Sequence, residues 1–92
     1  MHYTYVLECI GPQKDRKVFY VGSTEDLRKR LEQHKRKSVQ FTKSFVMIKL
    51  IYYEASLSKT DAQRREKELK TGFGRGYINR RLKDYFKNAG LV

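Results

Sequence analysis

The sequence predicts an α+β fold: a small three-stranded antiparallel sheet packed with helices, in the order β-β-α-β-α-α. Three segments rich in aromatic and β-branched residues predict the strands, and three segments with capping residues or apolar stripes predict the helices. A chain of 92 residues has room for one domain, which we assign to residues 1–92. We expect the sheet to form one layer and the helices to cover one side of it.

The first two strands are predicted to form a hairpin. Residues 3–10 alternate and are rich in aromatic and β-branched side chains, and turn residues follow at 11–15. A second strand is predicted over residues 17–21, and the Gly-Ser-Thr sequence at 22–24 is expected to end it. Residues 46–54 predict a third strand that is apolar enough to lie in the centre of the sheet.

Capping residues and apolar stripes predict where the helices begin and end. The first helix is expected over residues 25–37, with Ser23 or Thr24 as its N-cap. The second is expected over residues 58–70, because it begins with a Ser-x-x-Asp sequence similar to a capping box. The glycines that follow are expected to end it, and a last helix is predicted over residues 76–87.

The net charge of +11 is the unusual feature of the composition, since the chain has 21 Lys and Arg residues but 10 Asp and Glu residues. Most of the excess lies in the predicted helices. Residues 25–45 carry seven basic and three acidic side chains, and residues 58–92 carry ten and four. Such a surface favours a polyanionic partner, of which nucleic acid is the most common. The alternative is a basic surface that is solvated and binds no partner.

The composition also excludes several classes of protein. A single cysteine, Cys9, rules out an internal disulfide framework, and the two histidines alone cannot complete a zinc site. Cys9 lies in an apolar segment and is expected to be a small buried side chain. The sequence shows neither a signal peptide nor an apolar run near the ~20 residues of a membrane helix. We therefore expect a cytoplasmic protein without a membrane partner.

Glu66 lies where an apolar side chain is expected. Ala62, Leu69 and Phe73 share its face of the predicted helix at intervals of three or four residues. A carboxylate on such a stripe loses solvation, which is unfavourable unless a cation meets it. The spacing leaves two interpretations open: a salt bridge at the edge of the stripe, or a metal ligand or acid–base group.

Two further pairs of side chains have the chemistry of a functional site. Arg30 and His34 are one turn apart on the first predicted helix, so they share a face on which Arg can bind phosphate and His can move a proton. Tyr5 and Tyr20 lie on the hairpin strands and can share one face of the sheet. The alternatives are a solvated basic helix face and ordinary packing of strand tyrosines.

The combination and order of these residues resemble the GIY-YIG nuclease superfamily, in particular its small stand-alone bacterial members. The segments that carry the resemblance extend over most of the chain: Tyr3-Thr4-Tyr5 in place of GIY, Tyr20-Val21-Gly22 in place of YIG, a helix with Arg30 and His34, and a helix with Glu66. The first motif lacks its Gly and Ile. Ser23 and Thr24 stand where members of the family often have a basic residue.

The resemblance implies a GIY-YIG fold and an endonuclease that hydrolyses DNA phosphodiester bonds in DNA repair, recombination or DNA processing. It implies one divalent ion, Mg²⁺ or Mn²⁺, held by Glu66. Arg30 would bind the scissile phosphate, and His34 would take a proton onward or help to hold the phosphate. Tyr5 is expected to activate the attacking water with Tyr20 as its hydrogen-bonded partner, although either tyrosine can be the base.

DNA is the expected partner, while the choice among single-stranded, duplex and branched DNA, and between DNA and RNA, stays open. The residues expected to contact nucleic acid are basic or amide side chains: Arg28, Lys35, Arg36, Lys43, Arg65, Lys67, Lys70, Arg75 and Asn79. The length leaves no space for a separate specificity domain. Specificity is therefore expected to come from the domain itself, from an oligomer or from a protein partner.

Three alternative functions stay open. A catalytically inactive nucleic-acid-binding module of the same fold would keep the charge and lose turnover. A subunit of a repair complex would bind a protein partner, although no exposed aromatic stripe predicts that interface. A nuclease of the E-x-K type would use Glu68 and Lys70, but that motif requires a strand and a nearby Asp.

Overall fold

The computed structural model describes residues 1–12, 17–36 and 44–89. It confirms an α+β fold with a three-stranded antiparallel sheet. Within the described residues the elements are β1 (His2–Ile10), β2 (Lys17–Thr24), α1 (Leu27–Lys35), β3 (Met47–Ser56), α2 (Lys59–Leu69), α3 (Gly72–Arg81) and α4 (Lys83–Ala89). None of these helices has the length and apolar character needed to cross a membrane.

The sheet has the strand order β2-β1-β3, so β1 and not β3 is the central strand. The expectation of a central third strand was wrong because β1 contains polar residues that are nevertheless buried. Thr4 and Glu8 are 1% and 4% exposed. Thr4 donates a hydrogen bond to the Ala62 carbonyl oxygen, and Glu8 accepts one from Tyr85. Polar groups that are satisfied in this way can occupy a central strand.

Helices cover both faces of the sheet, which corrects the expected two-layer arrangement. Tyr5 and Leu7 of β1 belong to a core that packs against Leu31 of α1. The intervening residue Val6 points the other way, as alternation requires, and packs in a second core with Leu69 of α2 and other residues of the later helices. Cys9 is fully buried in the first core, as expected.

The end of β2 and the start of α1 differ from the prediction. Residues 22–24 continue the strand to its end at Thr24 instead of breaking it. The helix starts after Asp26, whose carboxylate accepts a hydrogen bond from the Lys29 amide and serves as the N-cap in place of Ser23 or Thr24. The predicted cap of the next helix is confirmed, since Ser58 accepts a hydrogen bond from the Asp61 amide.

The C-terminal part forms two helices where one was predicted. The glycine-rich sequence lies inside α3, which ends at Arg81, and α4 follows after Leu82. The junction of α2 and α3 needs a glycine, because a Cβ on Gly74 would collide with the backbone of Leu69. Phe73 is on α3 and 55% exposed, so it does not extend the apolar stripe of α2 as expected.

Candidate active site

The candidate site is built around the edge strand β2, where residues from both faces of the sheet approach each other. Tyr5 pairs across the strands with Gly22. Its ring lies over that glycine so closely that a Cβ there would be 2.5 Å from the Tyr5 hydroxyl oxygen. The absence of a side chain at this position therefore lets Tyr5 reach past β2. Glu66 approaches from the other face and is close enough for its charge to act on Tyr5 and Arg30.

The Tyr5 hydroxyl is held by two partners from α1. Its oxygen lies 2.8 Å from Nε2 of His34, and Nε of Arg30 donates a hydrogen bond to it over 3.3 Å. The side chain is only 1% exposed. Burial raises the pKa of Tyr5 to about 12, although the hydrogen bond from Arg30 acts in the opposite direction. Tyr5 is therefore a neutral phenol at pH 7 in the free protein.

His34 is fully buried and uncharged at neutral pH. Burial, together with the nearby positive charge of Arg30, lowers its pKa to about 4. A neutral imidazole with its proton on Nδ1 accepts a hydrogen bond from the Tyr5 hydroxyl through Nε2. This direction fits the Tyr5 oxygen, which itself accepts a hydrogen bond from Arg30. The His34 ring also meets the Tyr20 ring edge-on, with centroids 4.9 Å apart.

Arg30 connects the two tyrosines of the site. Besides its bond to Tyr5, its guanidinium lies within hydrogen-bonding reach of Tyr20, and these contacts raise its pKa. Its Nη1 donates to the Gln33 amide oxygen over 3.1 Å. The rings of Tyr5 and Tyr20 lie 6.2 Å apart. The guanidinium is thus oriented by three polar groups and remains partly accessible.

Glu66 carries the negative charge of the site. Its Oε1 accepts a hydrogen bond from Ser23 over 2.7 Å, and its Oε2 forms an ion pair with Lys70 over 2.7 Å. Burial raises the pKa of Glu66, but the contacts with Lys70 and Ser23 outweigh it, so the net shift is downward. The carboxylate is therefore ionised at neutral pH. Of the two interpretations that the spacing allowed for Glu66, the salt bridge is present, and Lys70 is the partner of Glu66.

The comparison with known families agrees with this arrangement. Residues 1–78 match the model of the GIY-YIG catalytic domain. The chain belongs to the GIY-YIG family. This membership implies a nuclease domain that acts on nucleic acid, and GIY-YIG nucleases generally use divalent metal ions.

The similar curated proteins are UPF0213 proteins, small stand-alone members of the GIY-YIG family. One from Staphylococcus haemolyticus is 37% identical over 71 residues, which cover 76% of this chain and 80% of the relative. One from Streptococcus pyogenes serotype M3 is 40% identical over 65 residues, covering 70% of this chain and 65% of the relative. The match thus spans just under two thirds of that streptococcal protein. No solved structure matches the chain significantly.

The donor set of this GIY-YIG domain suits a divalent ion bound through one carboxylate. Among the described residues, no three His, Cys, Asp or Glu side chains cluster as a metal site. Mg²⁺ and Mn²⁺ retain several waters and bind phosphate oxygens, so one ionised carboxylate is sufficient protein contact. Glu66 meets that requirement if the ammonium of Lys70 moves away from Oε2. Lys70 is about half exposed, so its flexible side chain has room to do so.

Most of the residues expected to contact nucleic acid lie on the surface of the GIY-YIG domain. The exposed ones are Arg28, Lys35, Arg36, Lys67, Arg75 and Asn79. Lys70 is exposed as well, but it is paired with Glu66 inside the site. Lys43 lies outside the described residues. The exposed set stays available for contact with a polyanion.

Arg65, which is expected to contact nucleic acid, also forms several bonds within the protein. Its Nε and Nη2 donate to the Glu54 carboxylate over 2.9–3.1 Å, and its Nη1 donates to Glu68 over 3.2 Å. The guanidinium also lies over the Tyr77 ring, 4.6 Å from its centroid. Every nitrogen of the group is thus engaged within the protein. Arg65 therefore connects α2 to β3 and α3. In the sequence it is the residue immediately before Glu66.

Arg65→Ala is expected to lower the free energy of unfolding by about 2–3 kcal/mol, because it leaves the half-buried Glu54 carboxylate without its paired charge. Arg64→Ala is the matched control, since Arg64 forms an ion pair with Asp61 that is more than half exposed. That change should cost under about 0.5 kcal/mol. Urea denaturation followed by circular dichroism measures both. Equal losses would contradict the structural role of Arg65.

Two residues of the site were missed in the sequence. The sequence predicts that Ser23 lies in a turn or caps a helix, whereas in the structure it donates a hydrogen bond to Glu66 from the end of β2. Gln33 was not singled out, yet it orients Arg30. Arg30 and Gln33 are three residues apart on one face of the helix, and this spacing predicts a contact between their side chains. For Ser23 the signal is weaker, because its contact spans 43 positions in the chain.

Proposed function

We propose that this GIY-YIG domain is an endonuclease that hydrolyses DNA phosphodiester bonds with one divalent ion, Mg²⁺ or Mn²⁺, in DNA repair, recombination or DNA processing. The supporting observation is the buried Tyr5 hydroxyl, which is held between the neutral imidazole of His34 and the Arg30 guanidinium beside the ionised Glu66. A base, a phosphate-binding cation and an anionic metal ligand are the groups that hydrolysis of a phosphodiester requires.

In this proposal Tyr5 is the group that accepts the proton of the attacking water. As the water oxygen forms its bond to phosphorus, its proton passes to the Tyr5 oxygen, and the Tyr5 proton passes to Nε2 of His34. A complete transfer from Tyr5 to His34 before the attack would cost on the order of 10 kcal/mol, given pKa values of about 12 and about 4. The two proton movements are therefore coupled. The phosphorus–oxygen bond to the leaving strand breaks as the new bond forms. The leaving oxygen then takes a proton from solvent, and His34, with a pKa of about 4, releases the proton that it received.

Arg30 stabilises the negative charge that develops on the phosphate. Its guanidinium is oriented by Tyr5 and Gln33 and keeps part of its surface accessible. Glu66 would hold the divalent ion, which would supply Lewis-acid stabilisation of the charge on the scissile phosphate and on the leaving oxygen. Ser23 fixes the orientation of the Glu66 carboxylate through Oε1.

One contact favours a second candidate, a nucleic-acid-binding module of the same fold without turnover. The Lys70 ammonium lies 2.7 Å from Oε2 of Glu66 and occupies the oxygen that a metal ion would use. A module of this kind would bind DNA through its basic surface, and its affinity would fall steeply as salt increases. Binding without cleavage would identify it.

The direct test incubates the purified protein with end-labelled single-stranded, duplex and branched DNA and with RNA, in Mg²⁺, Mn²⁺ or EDTA. We expect cleavage of at least one DNA in the presence of either ion and none in EDTA. If the wild-type protein binds these substrates and leaves all of them intact, the endonuclease proposal fails and the binding module remains.

Arg30→Ala is expected to lower the single-turnover cleavage rate by about 10²–10³-fold, because one preorganised contact to the developing charge is lost. Arg28→Ala is the matched control: it removes the same charge from an exposed position of the same helix. It should weaken binding slightly and leave the rate at saturating protein unchanged. Equal rates for the two variants would remove Arg30 from the chemistry.

A further inference from the structure

A groove of about 1000 Å³ lies beside the candidate active site, between β2 and the helices α3 and α4. Lys70 lines the groove and pairs with Glu66, so the groove adjoins the Glu66 side of the site, whereas the ring of Tyr20 packs in the core on the opposite face of the sheet. Its floor is apolar and includes Val21 and Ile78, which belong to the core between the sheet and the later helices. Its volume is at the upper end of the range of ligand pockets and accommodates a nucleoside.

The walls of the groove combine aromatic rings with positive charge. Phe19 and Phe86 line it and stack on each other, with centroids 5.7 Å apart and only partial burial. The basic residues Lys17, Lys70 and Arg75 surround it with exposed side chains.

The acidic residue among the described lining residues is Glu8. It is 4% exposed and accepts a hydrogen bond from the Tyr85 hydroxyl over 2.8 Å. The accessible charge around the groove is therefore positive, which is complementary to a phosphate backbone.

We propose that this groove receives unpaired nucleotides of the DNA strand that is cut. This inference rests on the proposed function, and it identifies the preferred substrate as DNA with single-stranded nucleotides next to the scissile phosphate. Apolar and aromatic surface next to basic side chains is the combination that binds single strands, because unpaired bases stack on it while the backbone meets the cations.

A duplex does not use this groove in the same way. Its bases are stacked and paired in the interior of the helix, so their faces do not reach an apolar floor without unpairing. Asn79 also lines the groove with an exposed amide, which can both donate and accept hydrogen bonds at a base edge. Asn79 is thus placed to contact a base beside the site. The groove adjoins Glu66, because Lys70 lines the groove and forms an ion pair with Glu66.

The test compares two charge reversals on α3. Arg75→Glu alters a lining residue, whereas Arg80→Glu makes the same change at an exposed position of the same helix that is outside the lining. The net charge of the two variants is identical, so their long-range attraction for DNA is matched. Fluorescence anisotropy in EDTA then measures the affinity for a labelled single strand and for its duplex at one fixed salt concentration, without any cleavage.

We expect the wild-type protein to bind the single strand at least about 10-fold more tightly than the duplex. Arg75→Glu should lose most of that preference, while Arg80→Glu should weaken both affinities alike and keep it. Phe19→Leu, which keeps apolar packing but removes the ring, should also reduce the single-strand preference. Equal binding of both DNA forms by the wild type, or identical behaviour of the two charge reversals, would overturn the proposal.

These outcomes are separable from those of the proposed function. Preferential binding of single strands without cleavage in Mg²⁺ or Mn²⁺ would leave the groove assignment in place and reject the nuclease. Cleavage without any single-strand preference would support the nuclease and reject the groove assignment. A single-stranded RNA of the same sequence that binds 10-fold more tightly than the DNA would overturn the assignment of DNA as the occupant.

Discussion

Glu66→Gln is expected to reduce metal-dependent cleavage by about 10³-fold or more while leaving the affinity for DNA in EDTA close to that of the wild type. The amide oxygen still accepts the hydrogen bond from Ser23, so the local structure is retained. The amide is neutral, however, and a neutral ligand binds Mg²⁺ or Mn²⁺ far more weakly than a carboxylate. Single-turnover rates at increasing metal concentration measure the loss, and the concentration for half-maximal rate should rise.

The matched control is Glu68→Gln, two residues away on the same helix. Glu68 is exposed and forms an ion pair with Arg65, which is not a residue of the site. The cleavage rate of Glu68→Gln should therefore remain within about 3-fold of the wild type. Thermal unfolding followed by circular dichroism checks that both variants fold. Cleavage by Glu66→Gln at the wild-type rate would reject Glu66 as the metal ligand.

Tyr5→Phe is expected to lower the single-turnover rate by about 10²–10⁴-fold, because it removes the oxygen that accepts the water proton and the proton that passes to His34. The ring is kept, so its contact with Gly22 and the hydrophobic core persists. Tyr20→Phe should have a smaller effect, since Tyr20 contacts Arg30 and His34 but does not transfer the proton. A larger loss in Tyr20→Phe than in Tyr5→Phe would reverse the assignment of the base.

The pH profile of the wild-type protein tests the coupled proton movement. Since Tyr5 has a pKa of about 12, a mechanism that needs a preformed phenolate would show a rate that rises 10-fold per pH unit from 6 to 9. In the coupled mechanism neutral His34 accepts the proton, and its pKa of about 4 keeps it neutral over that range. We therefore expect a flat rate from pH 6 to 9 and a decline below about pH 5, as His34 takes up a proton from solvent.

The fold class was predictable because strands and helices follow directly from local patterns, but the position of β1 was not. Thr4 and Glu8 reduce the apolar character of β1, and each is buried only because a distant partner supplies its hydrogen bond. The local pattern predicts that Gly22 ends a strand, because glycine usually interrupts one. In the structure it is required inside β2 by the Tyr5 ring, a contact between strands that no local pattern reveals.

The same limit applies to the site. The residue types and their spacing indicated Tyr5, Arg30, His34 and Glu66, and the resemblance to the family implied their roles. The groups that orient them are set by distances across the folded chain: Ser23 reaches a helix 43 positions away. Arg65 is a second example, because a basic residue next to Glu66 is expected to contact nucleic acid, and its bonds to carboxylates of the protein depend on positions that only the folded chain sets.

The distribution of the site over both faces of the sheet has a consequence for how activity depends on folding. Residues 1–36 include β1, β2 and α1 and carry Tyr5, Arg30 and His34, whereas Glu66 is on α2. Neither half of the chain contains a complete set of groups, so in the proposed mechanism a partly unfolded state in which α2 has separated from the sheet lacks the metal ligand. The proposed activity therefore requires the fully assembled domain.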